Sequence, residues 1–243
     1  MNFRDFERPV VLTGAGMSAA SGLPTYRGED GLWTKDPDHG AGLVPPPKNM
    51  TNPDERRDWW NRLWDTHFGP MREAGISAKP NAGHIALAEW GKDNPDLCIL
   101  TQNVDGLHRD AGSTEVVELH GNLWMNRCAK RRCSQPAWED REVRSSAPDC
   151  PKCGRPSRPD VVLFTEDLSE RNIAASHRVL WKCDLILCLG TTLGVWPVNT
   201  FPSMARQFGA KLAIINVGPT EWDGLVDFGI DAPIEDCLPE LLK

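Results

Sequence analysis

Two pairs of cysteines are the residues whose types and spacing predict chemistry most directly in this chain of 243 residues. Four residues separate Cys128 from Cys133, and two residues separate Cys150 from Cys153. Tetrahedral zinc takes four thiolates, and two close pairs on neighbouring turns supply them with little strain. We predict one structural zinc ion on these cysteines, without an open coordination position and therefore without a catalytic role. The alternatives are two disulfides or four unliganded thiols.

A glycine-rich segment follows the first predicted strand, Val10–Thr13. The run Gly14-Ala15-Gly16-Met17-Ser18-Ala19 fits the pattern G-x-G-x-x-G/A, whose glycines permit a tight turn and bring backbone N–H groups close to a pyrophosphate. The acidic residue that usually ends a second strand about 20 positions later is missing, because Asp36 and Asp38 lie in a Pro- and Gly-rich stretch. We expect either a plain turn or a dinucleotide site that differs from the ordinary dehydrogenase arrangement.

A polar cluster and a histidine each follow another predicted strand. The segment Thr101–His108 comes after the strand Leu97–Leu100, at the position where open α/β sheets bind their ligands. Its amides and its carboxylate could read ribose hydroxyls and a carboxamide, or they could cap a turn. His120 follows the strand Glu115–Leu119 and is a candidate general base, although a single histidine can also be purely structural.

Charge and composition exclude several classes of protein. A net charge of -7 and an isoelectric point near 5.4 disfavour binding through phosphate neutralisation, so we predict no sequence-specific nucleic-acid partner. No apolar run approaches the ~20 residues of a membrane helix, so we predict no membrane partner. The charged first residues lack the apolar core of a secretion signal, and we expect a cytoplasmic protein. Disulfides are rare in that compartment, which favours zinc at the four cysteines.

The chemistry-bearing residues require an alternation of strands and helices to position them. Strands are also predicted at 161–164, 185–189 and 212–217, and helices at 54–68, 82–90, 169–181 and 197–208. This alternation predicts an α/β fold with a doubly wound parallel sheet. Two stretches interrupt it and form a predicted smaller domain, a helical module at 35–79 and a zinc module at 125–159. The Rossmann-like domain then comprises 1–34, 80–124 and 160–243.

These motifs occur together in a characteristic order, and the chain resembles the sirtuin family over nearly its whole length. The resemblance rests on Gly14–Ser18, Ser21–Gly28, Thr101–His108, Glu118–Gly121, the four cysteines, Arg158–Phe164, Gly190–Leu193 and Ile215–Asn216. It implies a Rossmann-like domain beside a small domain made of a helical module and a zinc ribbon. It also implies an NAD-dependent protein deacylase that acts on acyl-lysine proteins or peptides. The missing acidic residue is explained as well, because sirtuins bind NAD in an inverted way across the cleft between domains.

The resemblance assigns roles to residues of this chain. His120 stands at the position of the general base that acts on a ribose hydroxyl, and Asn103 is the second catalytic candidate. Val162 and Phe164 lie where the family pairs its peptide substrate as an added strand. The implied NAD-binding residues are Gly14, Ala15, Gly16, Ser18, Arg27, Gln102, Asn103, Asp105, Gly190, Thr191, Thr192, Asn216 and Ala232.

Two departures from the family pattern bear on the acyl group and the rate. Tyr26 replaces the usual Phe, and Thr165 stands where Gly is usual. The Tyr-x-x-Arg pair of desuccinylases and demalonylases is absent, although Arg62 in the helical module could still pair with an acidic acyl group. We favour deacetylation, with removal of succinyl or malonyl groups, mono-ADP-ribosyl transfer, and an NAD-sensing or zinc-scaffolded interaction module as the alternatives.

Overall fold

Six parallel strands form the main sheet in the computed structural model, which describes residues 2–28, 31–36, 38, 40, 42–130 and 132–243. In chain order the strands of these residues are β1 Pro9–Thr13, β2 Cys98–Thr101, β3 Val116–Glu118, β4 Gly121–Cys128, β5 Trp138–Glu139, β6 Ser157–Val161, β7 Leu185–Leu189, β8 Lys211–Ile215 and β9 Phe228–Ile230. The main sheet has the order β3-β2-β1-β7-β8-β9. The chain runs outward from β1 in both directions, so a crevice opens between the carboxyl ends of β1 and β7. The predicted doubly wound parallel sheet is confirmed.

Helices cover both faces of this sheet. They are α1 Leu32–Lys35, α2 Pro53–Leu63, α3 Gly69–Gly75, α4 Ala82–Asp93, α5 Leu107–Asp110, α6 Glu170–Leu180, α7 Phe201–Gln207 and α8 Ile234–Leu241. The strand β1 is buried along its whole length, and its successive side chains point to opposite faces. Val11 therefore packs with Leu87 of α4 and Leu238 of α8 in one core, whereas Leu12 belongs to the core that contains α6 and α7.

A second sheet has three antiparallel strands in the order β5-β4-β6. It packs on α2 and α3. A π-helical turn at 64–68 connects α2 to α3, and its Trp64 and Phe68 share a core with Leu123 of β4. Arg72 of α3 is fully buried between two indole rings, 4.8 Å from the Trp64 centroid and 5.7 Å from that of Trp124. Its guanidinium donates to the Leu123 carbonyl at 2.7 Å and 3.1 Å, which satisfies a charge that would otherwise be costly to bury.

Several elements differ from the sequence-based expectation. The predicted strand at 161–164 is wrong, because the strand ends at Val161 and pairs with β4 of the small sheet. The glycine-rich segment, for which the sequence predicts a tight turn, forms a 3₁₀ helix at 15–21. The sequence-based prediction contains no counterpart of α1, α3, α5, α8, β4, β5 or β9. The residue boundaries of the two domains stay a prediction, with the small-sheet strands spanning 121–161.

None of the helices in the described ranges is long and apolar enough to cross a bilayer.

Candidate active site

The loops after β1 and β7 are in backbone contact at the crevice between these strands. The Gly14 N–H donates to the Leu189 carbonyl at 3.0 Å, and the Gly16 N–H donates to the Gly190 carbonyl at 2.9 Å. A Cβ atom on Gly16 would lie 2.8 Å from the Gly190 Cα, and Gly190 itself has a φ of 58°. Glycine is therefore required on both sides of the contact, which brings the predicted NAD-binding segments 14–18 and 190–192 together.

Asn103 is held against the glycine-rich loop by its own side chain. Its Nδ2 donates to the Gly14 carbonyl at 3.0 Å and to Ser18 Oγ at 3.1 Å. Ser18 in turn donates to Asp105 Oδ2 at 2.7 Å. Four predicted site residues from two distant segments thus form one hydrogen-bonded network.

Asp105 is fixed at both carboxylate oxygens. Besides the Ser18 bond, Oδ1 accepts from the Leu107 N–H at 2.8 Å, and the Asp105 carbonyl accepts from Trp124 Nε1 at 2.7 Å. Burial raises the pKa of the Asp105 carboxyl, while the bonds from Leu107 and Ser18 oppose this rise. The side chain therefore presents a defined acceptor at the edge of the crevice.

His120 lies directly after β3 and is half-buried. Its Nδ1 is 2.8 Å from the Gln102 carbonyl, and because a carbonyl only accepts, Nδ1 carries the proton in the neutral ring. The lone pair therefore lies on Nε2. Burial lowers the pKa of His120, and the bond to Gln102 partly opposes this effect, so the ring is neutral near pH 7.

The remaining predicted NAD-binding residues extend the crevice along the strand ends. Gln102 Nε2 donates to Thr191 Oγ1 at 3.0 Å, which joins the ends of β2 and β7. Asn216 follows β8, and its amide is held by the Val217 and Gly218 carbonyls at 3.0 Å each. Thr192 lies in the loop after β7, Ala232 lies half-buried between β9 and α8, and Arg27 lies on the surface, with its guanidinium beside Gly194.

The predicted substrate segment begins where β6 ends. The Val162 N–H donates to the His120 carbonyl at 2.8 Å, and the Phe164 N–H donates to the Leu43 carbonyl at 3.2 Å. The Phe164 side chain is 46% exposed. Thr165, the departure from the usual Gly, has a φ of 71°, a left-handed conformation that side chains with a Cβ rarely adopt. Glycine, which is usual at this position in the family pattern, would adopt this left-handed conformation without strain.

An ion pair joins the two ends of this substrate segment. Arg158 is almost completely buried and donates to both carboxylate oxygens of Glu166, at 2.7 Å and 2.8 Å. Glu166 Oε2 also accepts from the Leu163 N–H at 3.0 Å. Burial lowers the pKa of Arg158 and the Glu166 bonds oppose this, so the pair stays charged and holds residues 162–165, which follow β6, as a loop.

Arg62 is the predicted site residue that the structure does not bring to the crevice network. It is exposed on α2, and its guanidinium lies 5.7 Å from the Trp59 ring centroid.

The four cysteines converge at the end of the small sheet. The Sγ atoms are 3.6 Å apart for Cys128 and Cys153, 3.8 Å for Cys133 and Cys150, and 3.8 Å for Cys133 and Cys153. A tetrahedron of Zn–S bonds of about 2.3 Å has S···S edges of about 3.8 Å. The donor set and its spacing therefore fit one zinc ion, as predicted.

Comparison with known proteins decides the family. The Sir2 family profile matches residues 14–197. The chain belongs to the Sir2 family. It is 35% identical over 240 residues to an NAD-dependent protein deacylase of Pyrococcus furiosus, covering 96% of this chain and 91% of the relative. It is 38% identical to NAD-dependent protein deacetylase 1 of Pyrobaculum aerophilum, covering 96% and 88%.

Solved Sir2 structures share the fold of this Sir2-family chain. A mutant Sir2 homologue in complex with ADP-ribose superposes with a TM-score of 0.86 at 32% identity, covering 99% of this chain and 92% of the other. A complex of a Sir2 homologue with NAD has a TM-score of 0.80 at 33% identity, with coverages of 99% and 90%. Sir2Tm bound to a propionylated peptide has a TM-score of 0.76 at 25% identity, with coverages of 99% and 94%. The predicted family, fold and NAD and zinc requirements are confirmed.

Sequence reasoning missed two groups of residues around the site of this Sir2-family protein. The first is Glu166, which pairs with Arg158. The two residues are eight positions apart, and neither a helix nor a strand brings residues at this spacing into contact, so the sequence does not indicate that they form an ion pair. His84 and His108 pack with ring centroids 4.8 Å apart beneath the glycine-rich loop. Their contact depends on the meeting of α4 and α5, which no spacing in the sequence encodes.

Proposed function

We propose that this Sir2-family chain is an NAD-dependent protein-lysine deacylase, which transfers the acyl group to ADP-ribose and releases nicotinamide. The observation that carries the proposal is the position of His120 between two elements of the site. Its ring is bonded to the Gln102 carbonyl of the NAD-binding side, and its own carbonyl accepts from the Val162 N–H of the substrate side. The His120 ring, which would take the proton, is therefore attached to the NAD-binding side, and the His120 backbone is attached to the segment that would hold the peptide.

His120 would act through Nε2. Because Nδ1 donates to the Gln102 carbonyl, Nε2 has the lone pair and can take the proton of a ribose hydroxyl. The lowered pKa keeps this ring neutral near pH 7. NAD supplies the ribose carbon that becomes the acceptor of the acyl oxygen once nicotinamide leaves.

Residues at the strand ends would hold NAD. The segments around Gly16 and Gly190 would accommodate the phosphates, because both loops present backbone at close approach. Asn103 and Gln102 would orient the nicotinamide ribose, and Asp105 would accept from the carboxamide. Ala15 and Arg27 would lie on the diphosphate and nicotinamide side of NAD, and Thr191, Thr192, Asn216 and Ala232 at its phosphate and adenosine end. Gly14 and Ser18 are further predicted NAD-binding residues.

The peptide would be added as an extended segment beside Val162–Phe164. The exposed Phe164 side chain supports this placement.

We propose acetyl-lysine as the main substrate. The support comes from the residue that would recognise an acidic acyl group. That predicted residue, Arg62, lies over the Trp59 ring and is exposed on α2. A cytoplasmic location is supported by the cysteines, none of which forms a disulfide in the described residues.

Mass spectrometry of acetylated and succinylated lysine peptides, incubated with and without NAD, tests the proposal. We expect NAD-dependent loss of the acetyl mass with formation of O-acetyl-ADP-ribose, and no reaction with the His120→Ala variant. A His177→Ala variant is the matched control, because His177 lies on α6 and contacts Trp181 and Phe201 outside the crevice.

Two outcomes would contradict parts of the proposal. Faster loss of succinyl than of acetyl would overturn the acyl preference and give Arg62 a role in binding the acyl group. Survival of both peptides together with ADP-ribose on protein would establish transfer instead of deacylation.

A further inference from the structure

Two side chains close the turn that carries His120, and the proposed reaction gives neither of them a role. Glu118 is the last residue of β3, Asn122 lies four positions later in β4, and both are half-buried. Asn122 Nδ2 donates to Glu118 Oε1 at 2.7 Å. The hydrogen bond therefore spans the turn at residues 119–121, with His120 at its centre.

The orientation of the Asn122 amide is fixed at both ends. Its Oδ1 accepts from the Trp124 backbone N–H at 2.8 Å, and a backbone N–H can only donate. Its Nδ2 faces the Glu118 carboxylate, which can only accept and which also lies 3.5 Å from Arg109 Nε. A flipped amide would set Oδ1 against the carboxylate and Nδ2 against an N–H, so only one orientation satisfies both neighbours.

The segment that contains Asn122 also lies along the segment that contains Asp105. Trp124 is buried, and its indole Nε1 donates to the Asp105 carbonyl at 2.7 Å. A Cβ atom on Gly106 would lie 3.4 Å from Trp124 Cδ1 and 3.5 Å from Asn122 Nδ2, so both side chains pack on this glycine. Because Asn122 Oδ1 holds the Trp124 backbone, one amide joins the turn at 119–121 to the residue whose indole holds Asp105.

We infer that Asn122, paired with Glu118, is a positioning residue that holds the His120 ring and the Asp105 carboxylate in a fixed relation to each other. His120 would take the proton of a ribose hydroxyl and Asp105 would accept from the carboxamide, so both groups must face the same bound NAD. A misplacement of about 1 Å in such a site can cost about 10²-fold in rate. The effect on turnover rests on the proposed function, whereas the geometry of the pair does not.

Three variants test the pairing, because each of them keeps an acceptor for the Trp124 N–H. Glu118→Gln keeps an acceptor for the Asn122 amide, whereas Asn122→Asp removes the donor and sets two carboxylates against each other. The double variant, Glu118→Gln with Asn122→Asp, restores the hydrogen bond with donor and acceptor exchanged. At a temperature where thermal melts show every variant folded, we expect kcat within about twofold of wild type for Glu118→Gln, about tenfold or more lower for Asn122→Asp, and within about threefold for the double variant. KM for the peptide should change less than about twofold throughout.

The same proteins separate geometry from charge. The wild type and the double variant carry the same charge at the pair, while Glu118→Gln has one negative charge fewer and Asn122→Asp has one more. A KM for NAD that follows this charge, lowest for Glu118→Gln, with kcat unchanged, would attribute the effect to repulsion of NAD and reject the positioning role. A double variant as slow as Asn122→Asp, or an Asn122→Asp variant as fast as wild type, would reject it as well.

The His120 ring reports the same geometry without turnover. Two-bond ¹H–¹⁵N correlation spectra of labelled protein at neutral pH should show His120 protonated on Nδ1 in the wild type and in the double variant, with this single tautomer lost in Asn122→Asp. The spectrum of His120→Ala assigns the signal. If the tautomer follows this pattern and no acyl group is removed, the positioning role stands and the proposed function fails. An unchanged His120 signal in Asn122→Asp would refute the positioning role.

Discussion

At the scale of single residues, the site depends on which atom of each polar group holds the proton. The Gln102 carbonyl gives the His120 ring one defined tautomer, and the Ser18 hydroxyl and Leu107 N–H give Asp105 one defined orientation. These bonds are all internal to the protein, so the protein itself fixes the orientation of both groups toward the crevice.

His120 predicts the acid limb of the pH profile. Only the neutral ring can take a proton, so kcat/KM for NAD should fall as the pH falls through the pKa of His120. Because burial lowers that pKa, the midpoint should lie below the ordinary value of about 6.5. Initial rates between pH 4.5 and 8 check this, with His120→Ala about 10²-fold or more slower throughout. A midpoint above 7 would contradict the buried, carbonyl-bonded ring.

Thr165 predicts a stabilising substitution. Its φ of 71° is unfavourable for a residue with a Cβ, and glycine removes that penalty. Thr165→Gly should raise the free energy of unfolding by about 1 kcal/mol, measured by urea titration. Thr165→Ala keeps the Cβ and serves as the control; an equal gain from alanine would show that the hydroxyl, and not the backbone, is the cause.

At the scale of elements, the substrate segment is a loop closed by an ion pair rather than a strand of the main sheet. Breaking a buried pair leaves one uncompensated charge, at a cost of about 3–5 kcal/mol. Glu166→Gln should therefore loosen the loop at residues 162–165 and raise KM for the peptide several-fold, with KM for NAD nearly unchanged. Steady-state kinetics with each substrate varied in turn measure this difference.

An exposed ion pair provides the comparison for that experiment. Lys211 and Asp227 are 2.9 Å apart, and the Lys211 side chain is 57% exposed. Surface pairs contribute about 0–1 kcal/mol, so Lys211→Met should leave both KM values as they are. A rise in peptide KM of the same size for both variants would attribute the effect to general destabilisation.

Five of the six strands of the main sheet could be predicted from the sequence, with β9 as the exception, whereas loops and supporting contacts could not. The β-branched and leucine runs at Val10–Thr13 and Leu185–Leu189 are buried on both faces, which is why they read as continuous apolar segments. The strand predicted at 161–164 failed because an apolar run also suits a loop that packs its side chains inward, as Leu163 does. Among the candidate site residues, the cysteines and His120 could be singled out from the sequence because thiolate spacing and a strand-end histidine carry local signals. Arg158 with Glu166 was missed because only tertiary structure brings the two together.

At the scale of the whole molecule, zinc should stabilise the small sheet without entering the reaction. Four thiolates fill a tetrahedral site, so removal of the metal acts on folding. A strong chelator at neutral pH should lower the melting temperature, and activity should fall only in proportion to the unfolded fraction. Replacement of Cys153 by Ser should reproduce the effect, and loss of activity in fully folded, zinc-free protein would contradict a purely structural metal.

The buried histidine pair makes the whole fold sensitive to acid. Both rings have pKa values near 4 and 3 when folded, and about 6.5 when unfolded. The unfolded chain therefore binds more protons below pH 6.5, and stability is lost as the pH falls from there toward 4. Urea midpoints should be lower at pH 5 than at pH 7, and His84→Gln should reduce that difference. An unchanged pH dependence in the variant would show that other groups cause it.

The strand order of the main sheet has a consequence for synthesis on the ribosome. Pro9 in β1 pairs with Leu185 in β7, so one edge of the first strand has no partner until most of the chain has been translated. At about 5–20 residues per second this interval is on the order of 10–30 s. Throughout that time β1 and β2 expose an apolar edge on which another nascent chain could pair. Slow translation or a shortage of chaperones should therefore reduce the yield of this protein more than that of an equally stable helical one.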